Sequence, residues 1–173
     1  MLLPWGESTV LQTVIGTIYS AEVEDIVVVT GGAREQVEGL VGDSARMCFN
    51  PDYQNDNMLR SLQLGLQQIK AEAEAMLVCL GDQPQIQQRT VRTVCDAYHK
   101  HKSSIIVPSH QMRRGHPWLV PKIFWDEILE MQTPSTMRDF LTIHAEEIYY
   151  VNVDTPSIIA DLDTKEDYLR AKP

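Results

Sequence analysis

"AMLVCLGDQP", residues 75–84, decides the fold of this chain. The run from Met76 to Leu80 is too short for a core helix, and Gly81 stops it. A short, continuously apolar segment bounded by turn residues reads as a buried strand of an α/β sheet. The strand then ends on Asp82, a side chain that belongs in water rather than core. Either Asp82 caps the helix that follows, with Pro84 in its first turn, or it stands at the mouth of a site and holds something cationic. The two roles are compatible, because ligands of open α/β sheets sit beyond the carboxyl ends of the strands.

Working outward, the same pattern repeats. "DIVVVTGG" (25–32) reads as a strand buried on both faces, with a shorter strand at 46–49, then "SSIIVPSH" (103–110) and a last strand "IYYVNV" (148–153). Helical spacing fills the intervals. Val10, Leu11, Val14, Ile15, Ile18 and Tyr19 share one face over residues 8–21, with Ser8 as N-cap. A helix covers 33–41, and a long one runs from Asn57 to about residue 75 on a stripe of Leu59, Leu62, Leu66 and Ile69. Another covers 87–102, with short helices near 124–131 and 137–144 and a final one at "TKEDYLRA" (164–171). "NPDYQNDN" (50–57) and "QMRRGHPW" (111–118) read as loops. Strands separated by helices predict one domain over 1–173, a three-layer α/β fold with a mainly parallel, Rossmann-like sheet.

The bulk numbers narrow the function. Lys and Arg total 15 against 24 Asp and Glu, a net charge of −9, which argues against a nucleic-acid surface. No apolar run reaches the length of a membrane span, and the N-terminus lacks the pattern of a signal peptide. The three cysteines, Cys48, Cys79 and Cys95, form no CxxC and fit buried residues of a reducing cytoplasm.

Beyond the strand ends lie the residues that could carry chemistry. Asp161 and Asp163 in "ADLDTKEDY" form a second acidic pair. Thr164 and Asp167 read as a capping box, which leaves the other two aspartates unexplained. Brought near Asp82, they would make a hard-oxygen site suited to Mg²⁺. His116 in "RRGHP" is a structural loop histidine or a ligand contact. Arg113 and Arg114 are phosphate partners or plain surface. His99 and His101 complement a helix end. Gly31 and Gly32 admit a nucleotide close to backbone or simply turn the chain. No P-loop, HExxH or GxSxG occurs.

Taken in order, "LLPWGESTVLQTVI", "DIVVVTGG", "NPDY…NMLRSLQLGL", "LGDQP", "RRGHP" and "DLDTKEDY" resemble the MobA-like NTP transferases, specifically the molybdenum cofactor cytidylyltransferase branch. The resemblance covers nearly the whole chain. It implies that Asp82 is the catalytic metal ligand, with Asp161 or Asp163 completing a Mg²⁺ site. It further implies that Thr30, Gly31, Asn50, Ser61 and Gly81 line a nucleotide pocket. Gln83, Pro84, Arg114, Gly115, His116 and Pro117 would face the second substrate. The implied partners are an NTP, with CTP favoured over GTP, and a phosphorylated acceptor such as molybdopterin cofactor.

In the family a strand and a loop of the form LAAGxSxRMGxxK precede the stretch that opens this sequence. The expectation is therefore an N-terminally truncated domain with its first sheet strand missing and its neighbours' backbone unpaired. Such a domain would be a weak or inactive catalyst, prone to dimerisation or strand exchange. The alternative is a non-catalytic binding or accessory protein derived from the same family. A GT-A glycosyltransferase is a weaker reading, resting on the DxD within "DLD".

Overall fold

The computed structural model describes residues 1–55 and 58–173. It opens on a small hairpin, β1 (Pro4–Trp5) and β2 (Ser8–Thr9), that feeds helix α1 (Val10–Ser20). The N-cap of α1 is Thr9, not Ser8. Thr9 and Gln12 form a reciprocal capping box, whereas Ser8 is still paired in β2. Strand β3 (Val27–Thr30), helix α2 (Arg34–Val41) and strand β4 (Arg46–Phe49) make a parallel βαβ unit whose strands pair in register from Val27–Arg46 to Thr30–Phe49. Val14, Ile15 and Ile18 of α1, with Val37 and Val41 of α2, close a small core over Ile26.

Helix α3 (Leu59–Leu66) is much shorter than the apolar stripe suggests. Leu59 and Leu66 are buried and Leu62 and Ile69 pack beside them, so the stripe marks the right face. The backbone leaves the helix after Leu66 through turns closing at Ile69 and Ala73, which bring the chain round into β5 (Ala75–Val78). Asn57, the expected start of this helix, lies outside the described residues.

Strand β5 pairs with a strand that the sequence reading does not assign, its first residue, Trp118, being read as the end of a loop. Residues 111–118 do not form one polar loop. Arg113 and Arg114 form β7, which folds back on β6 (Ile105–His110), and Trp118–Pro121 is a four-residue strand, β8, buried throughout. β8 lies antiparallel between β5 and β6, and β9 (Ile148–Asn152) joins the far side of β6 in parallel. β5 and β6 therefore share a direction, each being antiparallel to β8. The α/β class and its mainly parallel character hold, with β7 and β8 the reversed strands.

Period-two alternation assigns the two faces of this sheet. Ile105, Val107 and Val120 point into a core completed by α3, α5 (Trp125–Glu130) and α6 (Met137–Ile143). Ile106 and Leu119 point the other way, against Val94 and Tyr98 of α4 (Gln88–Lys100). Helix α7 (Lys165–Ala171) closes the chain, with Tyr168 donating to the carbonyl of Pro4 at 2.6 Å.

Only Thr30 of β3 is buried; Val27, Val28 and Val29 are half-exposed, although the run reads as a strand covered on both faces. The reason is topological. β3–β4 forms a sheet of its own, with no hydrogen-bonded neighbour on the β3 side among the described residues. A cavity of about 440 Å³ lies between β3 and β5.

Candidate functional site

The carboxyl ends of β3, β4, β5 and β6 carry the residues of interest. At the end of β5 the chain turns through Gly81 and Asp82, with Gln83 N–H donating to the carbonyl of Leu80. Asp82 does not cap α4: the helix starts six residues later, behind Gln87, which caps nothing with its side chain. The Oδ1 atom of Asp82 is buried without a hydrogen-bond partner. Burial raises the Asp82 carboxyl above its ordinary value, opposed by a backbone hydrogen bond, and the charges of Asp161 and Asp163 raise it further. The two distant acidic stretches are therefore within electrostatic reach of one another.

Gln83 fixes that approach. Its buried side chain donates Nε2–H to Asp161 Oδ1 at 2.5 Å, tying the start of the β5–α4 connection to the segment before α7. Asp163 is exposed beside the Thr164–Asp167 capping box, which is present as the sequence suggests. Among the described residues, no three His, Cys, Asp or Glu side chains form a ready-made metal cage. An orphaned carboxylate oxygen, held among like charges, still fits a hard divalent cation, because Mg²⁺ takes only one or two protein carboxylates and fills its shell with water and phosphate oxygens.

The "RRGHP" stretch is locked against the segment 156–160. Gly115 has no alternative: a Cβ there would lie 2.1 Å from the carbonyl oxygen of Ile158. The N–H of His116 donates to that same oxygen at 2.9 Å, and Gly115 N–H donates to Pro108 at 3.0 Å. The His116 ring stacks on Trp118 with centroids 4.1 Å apart. Burial pushes the His116 imidazole down to about 4, with Asp161 opposing and Arg138 assisting, so the ring is neutral at physiological pH. His116 Nε2 and Trp118 Nε1 are both buried without partners. Pro84 and Pro117 are buried alongside.

Arg114 is exposed, its guanidinium lying 5.7 Å from the centre of the Tyr150 ring of β9. The cation that does influence His116 is Arg138 of α6. Sequence reading missed both Trp118 and Arg138. A tryptophan before an apolar triplet signals a strand, but nothing in "MRDF" says which face of α6 meets the site.

Around β3 and β4 the expected pocket residues are tied into the fold. Asn50 is fully buried; its N–H donates to Thr30 O at 2.8 Å and its Nδ2 to Ser61 Oγ at 2.9 Å. Thr30 Oγ1 donates to Cys48 O at 3.3 Å. Gly31 and Gly32 lie under the Tyr53 side chain, so close that a Cβ on Gly31 would sit 2.7 Å from Tyr53 Cβ and one on Gly32 2.9 Å from the ring. Beside them opens a cleft of about 340 Å³ lined by Arg34, Phe49 and Tyr53. Thus the structure brings Asp82, Gln83 and Asp161 together with His116, and it keeps Gly31, Asn50 and Ser61 on the flank of the other sheet.

Comparison with known proteins agrees with this architecture. The molybdenum cofactor cytidylyltransferase of Escherichia coli (strain K12) is 26% identical over 174 residues, covering 99% of this chain and 86% of the relative. Among solved structures, Rv0371c of Mycobacterium tuberculosis H37Rv superposes with a TM-score of 0.85 at 23% identity, covering 98% of this chain and 86% of that one. The same mycobacterial protein in complex with manganese matches at a TM-score of 0.79, with 24% identity and coverage of 98% and 89%. A nucleotidyl transferase from Methanothermobacter thermautotroptrophicus, Mth528, matches at 0.82 and 22% identity over 99% of this chain and 82% of its own. The model of the MobA-like NTP transferase domain matches residues 1–156, and the chain belongs to that family.

Proposed function

We propose that this protein handles a nucleoside triphosphate, CTP in preference to GTP, together with a phosphorylated acceptor of the molybdopterin type, and that Asp82 is the residue on which nucleotidyl transfer depends. The observation that carries this reading is the unpartnered, buried Asp82 oxygen at the end of β5, set among acidic neighbours in a chain of the NTP-transferase family. The preference for CTP rests on the "GDQP" and "RRGHP" blocks and on the cytidylyltransferase relative. The manganese complex of the mycobacterial relative supports a divalent ion, which we take to be Mg²⁺.

In this reading Asp82 and one of Asp161 or Asp163 would hold the cation. The bound ion would supply the charge neutralisation that two meeting phosphates require. The other roles belong to the chain itself. Gln83 orients Asp161 through its 2.5 Å hydrogen bond. Neutral His116 and Trp118 offer unpartnered ring nitrogens to the acceptor, and Gly115 and Pro117 fix the loop that presents them. Thr30, Gly31, Asn50, Ser61 and Gly81 shape the nucleotide side.

A second reading is binding without efficient turnover. One observation favours it: among the described residues, the side-chain charges that shift Asp82 are those of Asp161 and Asp163, with no Lys or Arg beside them. Loss of one leaving-group donor costs about 10²–10³ in rate. Calorimetry with CTP and with GTP, each with and without Mg²⁺, tests the primary reading. Mg²⁺-dependent CTP binding that disappears in Asp82→Ala supports it; binding unchanged by the substitution refutes it. Pyrophosphate release in the same samples separates catalysis from binding alone.

A further inference from the structure

Strand β9 forms the outer edge of the five-stranded sheet, with β6 its one ladder partner among the described residues. The N–H of Val153 donates to Ser109 O at 2.9 Å, so Tyr149, Val151 and Val153 turn their backbone groups toward β6. The residues between them, Ile148, Tyr150 and Asn152, direct N–H and C=O outward. Sheet edges are usually guarded against further pairing by a charge, a proline or a bulge within the strand. β9 has none of these. Its sequence, IYYVN, is uncharged and free of proline, and its register runs unbroken from Ile105–Ile148 to Ser109–Asn152. Tyr149 and Tyr150 are left 40% and 41% exposed. Such a strand is a template for another of the same kind.

The charges at its two ends say which strand fits. Asn152 is aligned with Ser109, and Ser109 with Arg114, whose guanidinium leans across β6 to 5.7 Å from the Tyr150 ring. Arg113 is exposed beside it, and Asp154, the acid at this end, is already paired with Arg89 at 3.0 Å. The other end emerges from a turn that carries Glu146 and Glu147, both exposed. A strand laid antiparallel on this edge meets the arginines with its amino end and the glutamates with its carboxyl end. A second β9 is acidic at its amino end and basic at its carboxyl end, so it matches both. The flanking glutamates and the net charge of −9 disfavour a nucleic acid or an anionic membrane at the same edge.

We infer that this chain associates as a two-fold dimer through β9. The two strands pair antiparallel about an axis at Tyr150, so that the outward backbone groups of Ile148 meet those of Asn152 in the other copy and Tyr150 faces its own mate. The two five-stranded sheets become one, and Glu146 and Glu147 of each copy approach Arg113 and Arg114 of the other. This association does not depend on the nucleotidyl-transfer reading.

Sedimentation velocity of the full chain at a series of micromolar concentrations should show a reversible monomer–dimer equilibrium that weakens as salt is added. Tyr150→Lys sets two like charges face to face across the axis and should raise the dimer Kd about tenfold or more with unchanged circular dichroism, whereas Tyr150→Phe should leave it as it is. Hydrogen exchange on the unaltered chain gives a second readout. The amides of Tyr150 and Asn152 should be slow at dimer concentrations and fast on dilution, while those of Val151 and Val153 stay slow throughout. A chain that sediments as a monomer across the series overturns the inference. So does a dimer that keeps its affinity in Tyr150→Lys, or exchange at Tyr150 and Asn152 that ignores concentration.

Discussion

Asp82 illustrates a conflict between stability and chemistry within one side chain. Its carboxyl is raised in the folded protein, chiefly by burial, so the folded state holds a proton that the unfolded chain has already released. Stability from this group is present at low pH and lost as pH rises through the folded value. In a chelating buffer at pH 7, Asp82→Asn should therefore melt higher than the parent, by about 2 °C for each half to one kcal/mol relieved. The same variant should show no Mg²⁺-dependent shift in Tm, which differential scanning fluorimetry reads directly. His116 has the opposite sign. Its folded value of about 4 lies below the ordinary 6.5, so stability is full above 6.5 and falls as pH drops toward 4. His116→Gln should flatten the melting-temperature profile over that interval and leave it unchanged above.

At the scale of elements, caps and close approaches decide more than propensity does. Thr9→Ala removes both halves of the capping box on α1 and should cost about 1 kcal/mol, a Tm loss of roughly 2–4 °C, whereas Ser8→Ala should cost little. Gly115→Ala drives a methyl into Ile158 O and should cost about 3 kcal/mol or more in urea unfolding. These elements also mark what the sequence could and could not disclose. The apolar runs of β5 and β6 are legible because strands buried in α/β sheets need continuous hydrophobicity. β8 is not, since "WLV" is only three residues long and sits between Pro117 and Pro121, residues that usually break strands. Pro121 is tolerated because it pairs with Ala75 at a position where no ladder N–H is needed. The β6–β7 turn is hidden for a related reason: Gln111 and Met112 both adopt positive φ, 50° and 66°, where Asn-Gly would have announced it. At the site, Asp82 is legible as a carboxylate out of place. The partners that give it meaning, Gln83 with Asp161 and His116 with Trp118, come from contacts across the fold that no spacing encodes.

For the whole molecule, the interrupted sheet is the governing feature. Amide exchange followed by NMR should alternate along both bare edges: Val28, Thr30, Met76 and Val78 protected, Val27, Val29 and Leu77 exchanging much faster. Uniform protection along β3 would mean that the edge is covered in solution. Composition and periodicity do not disclose this separation, because β3 and β5 look the same in sequence whether or not they are neighbours. Of the apolar clusters, one gathers under α1 and α2 and the largest lies around β5, β6 and β8, with two smaller ones against α4. Sheets joined by side-chain packing without a shared ladder are free to lose their order at different temperatures. Scanning calorimetry should then record a transition broader than a two-state one, its van't Hoff enthalpy smaller than the heat absorbed, with the lobe holding β3 and β4 the first to melt.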